Sequence, residues 1–311
     1  MKETSTEKQT STTSTPEIIS QNIIDIITEN CKKLQQNPQY SEQRLYKTSW
    51  YNPKNNIAFA LPPKCGSTSL RLIEMADSGF IVPSKFPEIS KTDPDTIWPV
   101  QFAKHGLKKV DEFEGDKSEL LMYTGIRDPI NRLISAYKDK IGRTKLSDQS
   151  RQYFWNIYSR HITRHYRTHR PVTPNERTAK TQGLIPTFGE FVDFVIDWKL
   201  GKLPSFFELR PGDCDGHWCP QTDTVPFCQN KFGAIAQVEK FPEDLDPVLE
   251  SLDLEEIKFE KSGLSNSHFT SKSKSDSEFL AELREDQIQK LKEIYELDYV
   301  LFNGIYSFPT V

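Results

Sequence analysis

The 311-residue chain lacks any run approaching the roughly 18 apolar residues that cross a bilayer, so no membrane span is expected within it. It shows no signal-peptide pattern and no Asn-x-Ser/Thr acceptor, and the latter absence argues against a heavily glycosylated secretory product. A surplus of one charge is missing too, since 40 Lys and Arg stand against 44 Asp and Glu, a net charge of -4. There is then no global attraction to nucleic acid, and any basic function must be local. Neither a CxxC pair nor an internal repeat is present. Five cysteines occur, and Cys214, Cys219 and Cys228 crowd into CDGHWCPQTDTVPFC. That spacing suits a disulfide-stapled loop better than a zinc knuckle. A disulfide implies an oxidising compartment, which is at odds with the missing signal.

What is present describes an ordinary globular protein, with 36% apolar and 27% charged residues. Nine of the first fifteen residues are Ser or Thr, so residues 1–16 are expected to be a disordered tail and residues 17–311 a single domain. Isoleucines at 18, 19, 23, 24, 26 and 27 predict an amphipathic helix over 17–36 that packs on the domain. Strands are expected at 56–61, 120–126 and near 232–238, and helices at 67–77, after Asp128, at 188–200 and at 277–297. Strands alternating with helices imply an α/β fold with a central, mainly parallel sheet flanked by helices.

The richest stretch is IAFALPPKCGSTS, residues 57–69. An apolar strand runs into Lys64, Cys65, Gly66, Ser67, Thr68 and Ser69, and a helical pattern follows. Backbone N–H groups and the positive end of the helix dipole converge there on an anion. Lys64 adds a full charge, and the hydroxyls add donors. A nucleotide-triphosphate loop reads GxxxxGK[ST], with the Lys after the second Gly. Here the Lys precedes the only Gly of the loop, an order suited to a phosphate or sulfate ester rather than Mg-ATP. The second stretch, TGIRDPINRLISAYKDK, sets Arg127 at the carboxyl end of a strand, where open α/β sheets bind ligands. Asp128 is placed to cap the next helix with Pro129 at its first position. Ser135 follows two turns in, and together Arg127 and Ser135 can hold a dianionic phosphate.

These two segments resemble the sulfotransferase fold. PKCGSTS looks like the loop that binds the 5′-phosphosulfate of 3′-phosphoadenylyl sulfate (PAPS), and RDPINRLISAYKDK looks like the 3′-phosphate segment R-[DE]-P-x-x-R-[LF]-x-S-x-[YF]. The resemblance is closest to the Golgi carbohydrate sulfotransferases of chondroitin and dermatan sulfate biosynthesis. HWCPQTDTVPFC with FGAIAQVEKF, and LKEIYELDYVLFNGIY, are similar to two later segments of that family. The resemblance implies a P-loop-like fold with PAPS as co-substrate, no metal and a glycosaminoglycan-like anionic acceptor. It implies Lys64, Cys65, Gly66, Ser67, Thr68 and Ser69 around the 5′ end of the donor, and Arg127 and Ser135 on its 3′-phosphate. Cys65 reads as a small space-filling residue of the loop, with a reactive thiol beside a Lys and a helix N-terminus as the alternative. The resemblance also implies the Golgi lumen, with membrane attachment only through an anchor not visible in this chain, or a soluble form.

A sugar hydroxyl would attack sulfur in line while Lys64 neutralises charge on the leaving oxygen, and a base near neutral pKa would take the proton. By resemblance, His105 in FAKHGLKKV is the base. His217 in GHWCP is a rival that is read as shaping the Cys loop, and Glu74 or Glu239 are further alternatives. Arg160, Arg164 and Arg167 share one helical face and are expected to meet the acceptor, since planar guanidinium suits carboxylate and sulfate. Four-residue spacing of His161, His165 and His169 has no carboxylate partners and is not read as a metal site. Lys272 and Lys274 are expected in a surface loop. Two other readings are a nucleotide kinase-like phosphotransferase and a degenerate member that binds glycan without transferring sulfate.

Overall fold

The structure is a computed structural model that describes residues 16–37, 40, 49–80, 104–142, 149–167, 185–207, 215–257 and 274–309. Residues 1–15 of the tail expected over 1–16 lie outside the described residues, as do Cys214, His169 and Lys272, while Pro16 begins the first helix.

Five strands form one sheet in the order β3-β1-β2-β4-β5. Strand β2 (Ile57–Ala60) lies parallel to β4 (Leu121–Ile126), which lies parallel to β5 (Lys231–Gln237). Strands β1 (Trp50–Asn52) and β3 (Lys108–Lys109) extend the other edge antiparallel, so the sheet is mixed rather than mainly parallel. The reason is local. Between β1 and β2, Asn52 Oδ1 accepts from Lys54 N at 3.1 Å and Asn55 Oδ1 from Ile57 N at 3.2 Å. Asn56 turns the chain with φ 57°, so Asn-Pro-Lys-Asn-Asn closes a tight hairpin.

Alternation along the strands sends side chains to two faces. Ile57, Phe59, Tyr123, Ala234 and Ala236 meet Leu70, Leu72, Ile73 and Met75 of helix α2 (Ser67–Asp77). Ala58, Ala60, Met122, Ile126 and Ile235 meet Ile23, Ile27 and Leu34 of α1 (Pro16–Leu34). The first helix therefore packs on the domain, as its isoleucine spacing predicts. Asn30 Nδ2 fastens it further by donating to Leu301 O at 3.0 Å and Asn303 O at 2.8 Å.

A disulfide joins Cys31 of α1 to Cys228, across 197 residues of sequence, and Cys219 is disulfide-bonded as well. The Cys loop is therefore stapled, but one of its cysteines pairs with the first helix and not within the loop. Closing so long a loop removes about 5 kcal/mol of unfolded-chain entropy in the chain-entropy account.

A third apolar cluster stands beside the sheet. Helix α3 (Pro129–Ala136) contributes Ile130, Leu133 and Ile134. Helices α4 (Gln149–Phe154), α5 (Arg160–Tyr166) and α6 (Phe188–Lys199) supply Phe154, Ile162, Phe188, Phe191 and Phe194. Helix α7 (Asp246–Glu250) follows β5, and the helix expected over 277–297 is broken into α8 (Asp276–Leu280), α9 (Glu285–Ile294) and α10 (Glu296–Leu301), not one long helix.

Candidate active site

Strand β2 delivers the loop to the carboxyl end of the parallel strands, and α2 begins at Ser67 with Gly66 as its N-cap. Both Lys64 (φ 69°) and Gly66 (φ 70°) are left-handed, which folds the loop back on itself. A Cβ on Gly66 would lie 2.5 Å from the Phe241 ring. One on Gly125 would lie 2.0 Å from Cys65 O, so β4 passes directly against the loop only because Gly125 has no side chain. The first helical bond runs from Leu70 N to Gly66 O at 3.1 Å. The N–H groups of Ser67, Thr68 and Ser69 thus lie in the first turn, where helix geometry provides no intrahelical acceptor.

Cys65 turns inward. It is fully buried, its N–H donates to Pro62 O at 3.2 Å, and its thiol donates to Gln221 Oε1 at 3.0 Å. Burial pushes the thiol up to about 12, so it is inert packing. Of the loop residues expected to touch the donor, Cys65 is the one the structure turns away.

Lys64 Nζ reaches Asp139 Oδ2 at 2.9 Å, and Lys140 Nζ lies 3.5 Å from the same oxygen. Burial lowers the Lys64 pKa, Asp139 pulls it back up, and Lys140 and Arg127 lower it again. One carboxylate between two ammonium groups leaves a surplus of positive charge. Asp139 is brought there by a π-helical turn, Tyr137–Ile141, which continues α3. Such wider turns are common at functional sites, and nothing in the residue spacing announces this one.

Arg127 Nη1 donates to Lys64 O at 3.3 Å, tying the two expected anion sites together. Its Nε is buried without a hydrogen-bond partner among the described residues, and the nearest carboxylate oxygen, Glu239 Oε1, is 3.8 Å away. A cleft of about 380 Å³ is lined by Arg127, Ser135, Lys138, Lys274 and Ser275, with Asp276 and Glu278. The structure thus brings Arg127 and Ser135 together and adds two lysines. Lys274 lines this cleft, where the sequence reading expected a plain surface loop. Asp128 Oδ1 accepts from Asn131 N at 2.9 Å, the expected helix cap.

Two residues outside the expected site hold it together. Gln221, fully buried, accepts from Arg127 N at 3.1 Å and donates to Arg127 O at 2.6 Å while also receiving the Cys65 thiol. Arg132, also fully buried, donates from Nε to Pro63 O at 2.9 Å and from its two Nη atoms to Cys219 O and Gly216 O. Arg132 is the second Arg of the R-x-x-x-x-R pattern, so its signal was visible in RDPINR. Gln221 had none.

The other expected residues are placed differently. His105 is exposed and packs edge-on against Phe80 at 4.2 Å, beyond the C-terminal end of α2. Eleven residues of helix separate that end from Ser67, about 16 Å. His105 also precedes β3, whose start lies level with Ala58 and not with the loop. The structure does not bring His105 to Lys64. Arg167 leaves the helix and is held by both carboxylate oxygens of Glu190 and by Ile185 O, so it does not join Arg160 and Arg164 in one exposed face. His161 and His165 pack against Phe207. Glu239 accepts from Asp128 N at 3.2 Å and from the Tyr306 hydroxyl at 2.6 Å.

Glu74 sits two turns down α2 and is 2% exposed, with Oε1 lacking a hydrogen bond among the described residues. Burial pushes its carboxyl up to about 7, against the pull of Arg71. The folded pKa lies above the unfolded value of 4.5, so the contribution of this group to stability is fully present below about pH 4.5 and is lost as pH rises through 7. The ionised form costs about 3 kcal/mol. Glu74→Gln is therefore expected to be more stable than wild type at pH 8, with the advantage shrinking at pH 5, as read by urea unfolding.

The site defined here is a sheet-end anion cradle with a lysine-bearing loop and a separate Arg-Ser-Lys cleft beside it. Residues 47–307 match the family model described as Sulfotransferase family, and the chain belongs to that family. It is 26% identical over 264 residues to human carbohydrate sulfotransferase 9, covering 80% of this chain and 51% of that protein. It is 26% identical over 273 residues to carbohydrate sulfotransferase 10 of Xenopus laevis, covering 83% and 66%. Against mouse carbohydrate sulfotransferase 8 the identity is 25% over 265 residues, covering 82% and 55%. The chain thus spans between half and two thirds of the length of these relatives. No solved structure matches it.

Proposed function

We propose that this chain transfers a sulfuryl group from PAPS to a hydroxyl of a carbohydrate. The observation that carries this is Arg127. Its guanidinium touches the Lys64 loop on one side and lines the Ser135 cleft on the other, with Nε left unsatisfied. One bisubstituted nucleotide suits such a pair of adjoining anion sites. On this reading Ser67, Thr68, Ser69 and Lys64 hold its 5′ end, and Arg127, Ser135 and Lys138 hold its 3′-phosphate. Lys64 stabilises the charge that develops on the leaving phosphate oxygen.

The names of its relatives, carbohydrate sulfotransferases, support a carbohydrate acceptor. Arg160 and Arg164 are the remaining arginines of the expected acceptor face. A lumenal, Golgi-like location is supported by the disulfides, which persist in oxidising compartments. Among the described residues no helix is long and apolar enough to cross a membrane.

Calorimetric titration with 3′-phosphoadenosine 5′-phosphate, beside labelled-PAPS transfer over a glycan panel, tests the reading. Ser135→Ala is expected to weaken that nucleotide roughly ten- to a hundredfold, the loss of a hydrogen bond to a charged group. Adenosine 5′-phosphate, lacking the 3′ group, should bind the variant and wild type alike. Equal wild-type affinity for both nucleotides, or turnover of Mg-ATP without PAPS turnover, would overturn the proposal.

A further inference from the structure

Resting on the transfer reading above, we infer that His217 is the general base that deprotonates the acceptor hydroxyl, with Asp215 and Arg132 as its positioning residues. Arg132 is the first reason. One guanidinium, a few ångströms across, binds Pro63 O just before Lys64 and Gly216 O just before His217. The loop carrying Lys64 and the loop carrying His217 are therefore clamped side by side, each functional residue one position beyond a clamped carbonyl. A continuous run of contacts leads the same way. Lys64 meets Asp139, Lys140 shares that carboxylate, Lys140 Nζ lies 5.1 Å from the Phe154 ring centre, and Phe154 lies edge-on to His217 at 5.0 Å.

The second reason is how the imidazole is held. His217 Nδ1 lies 2.7 Å from Asp215 Oδ1, which also accepts the His217 backbone N–H at 3.0 Å. Asp215 Oδ2 accepts from the Tyr158 hydroxyl at 3.0 Å. Burial alone would raise the Asp215 carboxyl, but its hydrogen bonds from His217 and Tyr158 outweigh that and leave it lowered. An ionised Asp215 fixes the proton on Nδ1 and leaves the Nε2 lone pair as the acceptor. The His217 side chain keeps 20% exposure and is not sealed from solvent. Burial lowers its pKa, Asp215 opposes this, and the Lys140 and Lys64 charges add to the lowering, which favours the neutral ring.

The step then balances. The acceptor oxygen forms the new O–S bond as its proton passes to Nε2. The S–O bond to the 5′-phosphate breaks with its electron pair going to the phosphate oxygen beside Lys64. The imidazolium formed is stabilised by Asp215 and later releases its proton to water. By contrast, His105 packs on Phe80, has no carboxylate partner among the described residues and lies off this surface.

His217→Gln and Asp215→Asn would be assayed with labelled PAPS and desulfated chondroitin, or the first panel glycan that wild type sulfates. Binding of 3′-phosphoadenosine 5′-phosphate is measured in parallel. The expected result for His217→Gln is a fall in kcat of about 10²–10⁴-fold, with nucleotide affinity within twofold of wild type. The acid limb of kcat/KM against pH should vanish in His217→Gln and move to lower pH in Asp215→Asn. A His217→Gln chain that keeps kcat within threefold, or keeps the acid limb, overturns the inference. So does loss of that limb in His105→Gln instead. Should His217→Gln fail to bind the nucleotide, the Asp215→Asn profile decides, and an unmoved limb is the negative result. Wild type that neither binds the nucleotide nor transfers sulfate would refute the transfer reading itself, a separate outcome.

Discussion

Lys64→Ala is expected to cut sulfuryl transfer by about 10²–10³-fold while leaving the fold intact. The loss falls on kcat because the ammonium acts on charge that appears on the leaving oxygen only as the S–O bond breaks. Ground-state binding of 3′-phosphoadenosine 5′-phosphate should weaken less, since Ser67, Thr68, Ser69, Arg127 and Ser135 remain. The substitution does not strand Asp139, because Lys140 lies 3.5 Å from the same carboxylate oxygen. Backbone strain is also unchanged, as Lys and Ala share the same penalty at the loop's φ of 69°. Single-turnover transfer compared with calorimetric affinity separates the two effects. Full activity in Lys64→Ala would sink the mechanism.

Arg132→Met should produce the largest loss of stability, about 3–5 kcal/mol. The side chain is fully buried and donates to three backbone carbonyls, those of Pro63, Gly216 and Cys219. Methionine fills much of the volume but leaves those acceptors without donors in a site closed to water. Arg132→Lys should rescue little, because a compact ammonium cannot span carbonyls that a planar guanidinium reaches together. The measurement is the shift in urea midpoint at constant m-value. Transfer should fall with it even where the chain remains folded, since the Lys64 and His217 loops lose their common clamp. A shift worth under 1 kcal/mol would show that the clamp is not what holds the loops.

Some of the site was readable because its signals are local. A strand ending in Pro-Pro-Lys-Cys-Gly-Ser-Thr-Ser can hardly avoid a turn and a helix start, and Gly66 is found at the N-cap of α2. Arg127-Asp128-Pro129 likewise spells a strand end, a cap and a first helical turn, and Asp128 caps as expected. Misreadings came where the deciding contact is distant. Cys228 pairs with Cys31, 197 residues away, although two nearer cysteines were in view. Three arginines at helical spacing looked equivalent until Glu190 claimed Arg167.

By itself, then, the sequence determined the anion loop, the Arg127 and Ser135 pair and the α/β alternation, because each follows from neighbours within a few residues. Tertiary structure alone decided the mixed sheet edge, the π-helical turn that presents Asp139 and the cleft around Lys138 and Lys274. It also decided which histidine's loop is clamped to the Lys64 loop. Both His105 and His217 carry suitable chemistry in their local sequence. Only a buried guanidinium bridging residues 63, 216 and 219 sets His217 beside the loop, while the sheet leaves His105 at the far end of α2. Short-range spacing encodes local shape, but a carbonyl shared across 84 residues exists only once the chain has folded.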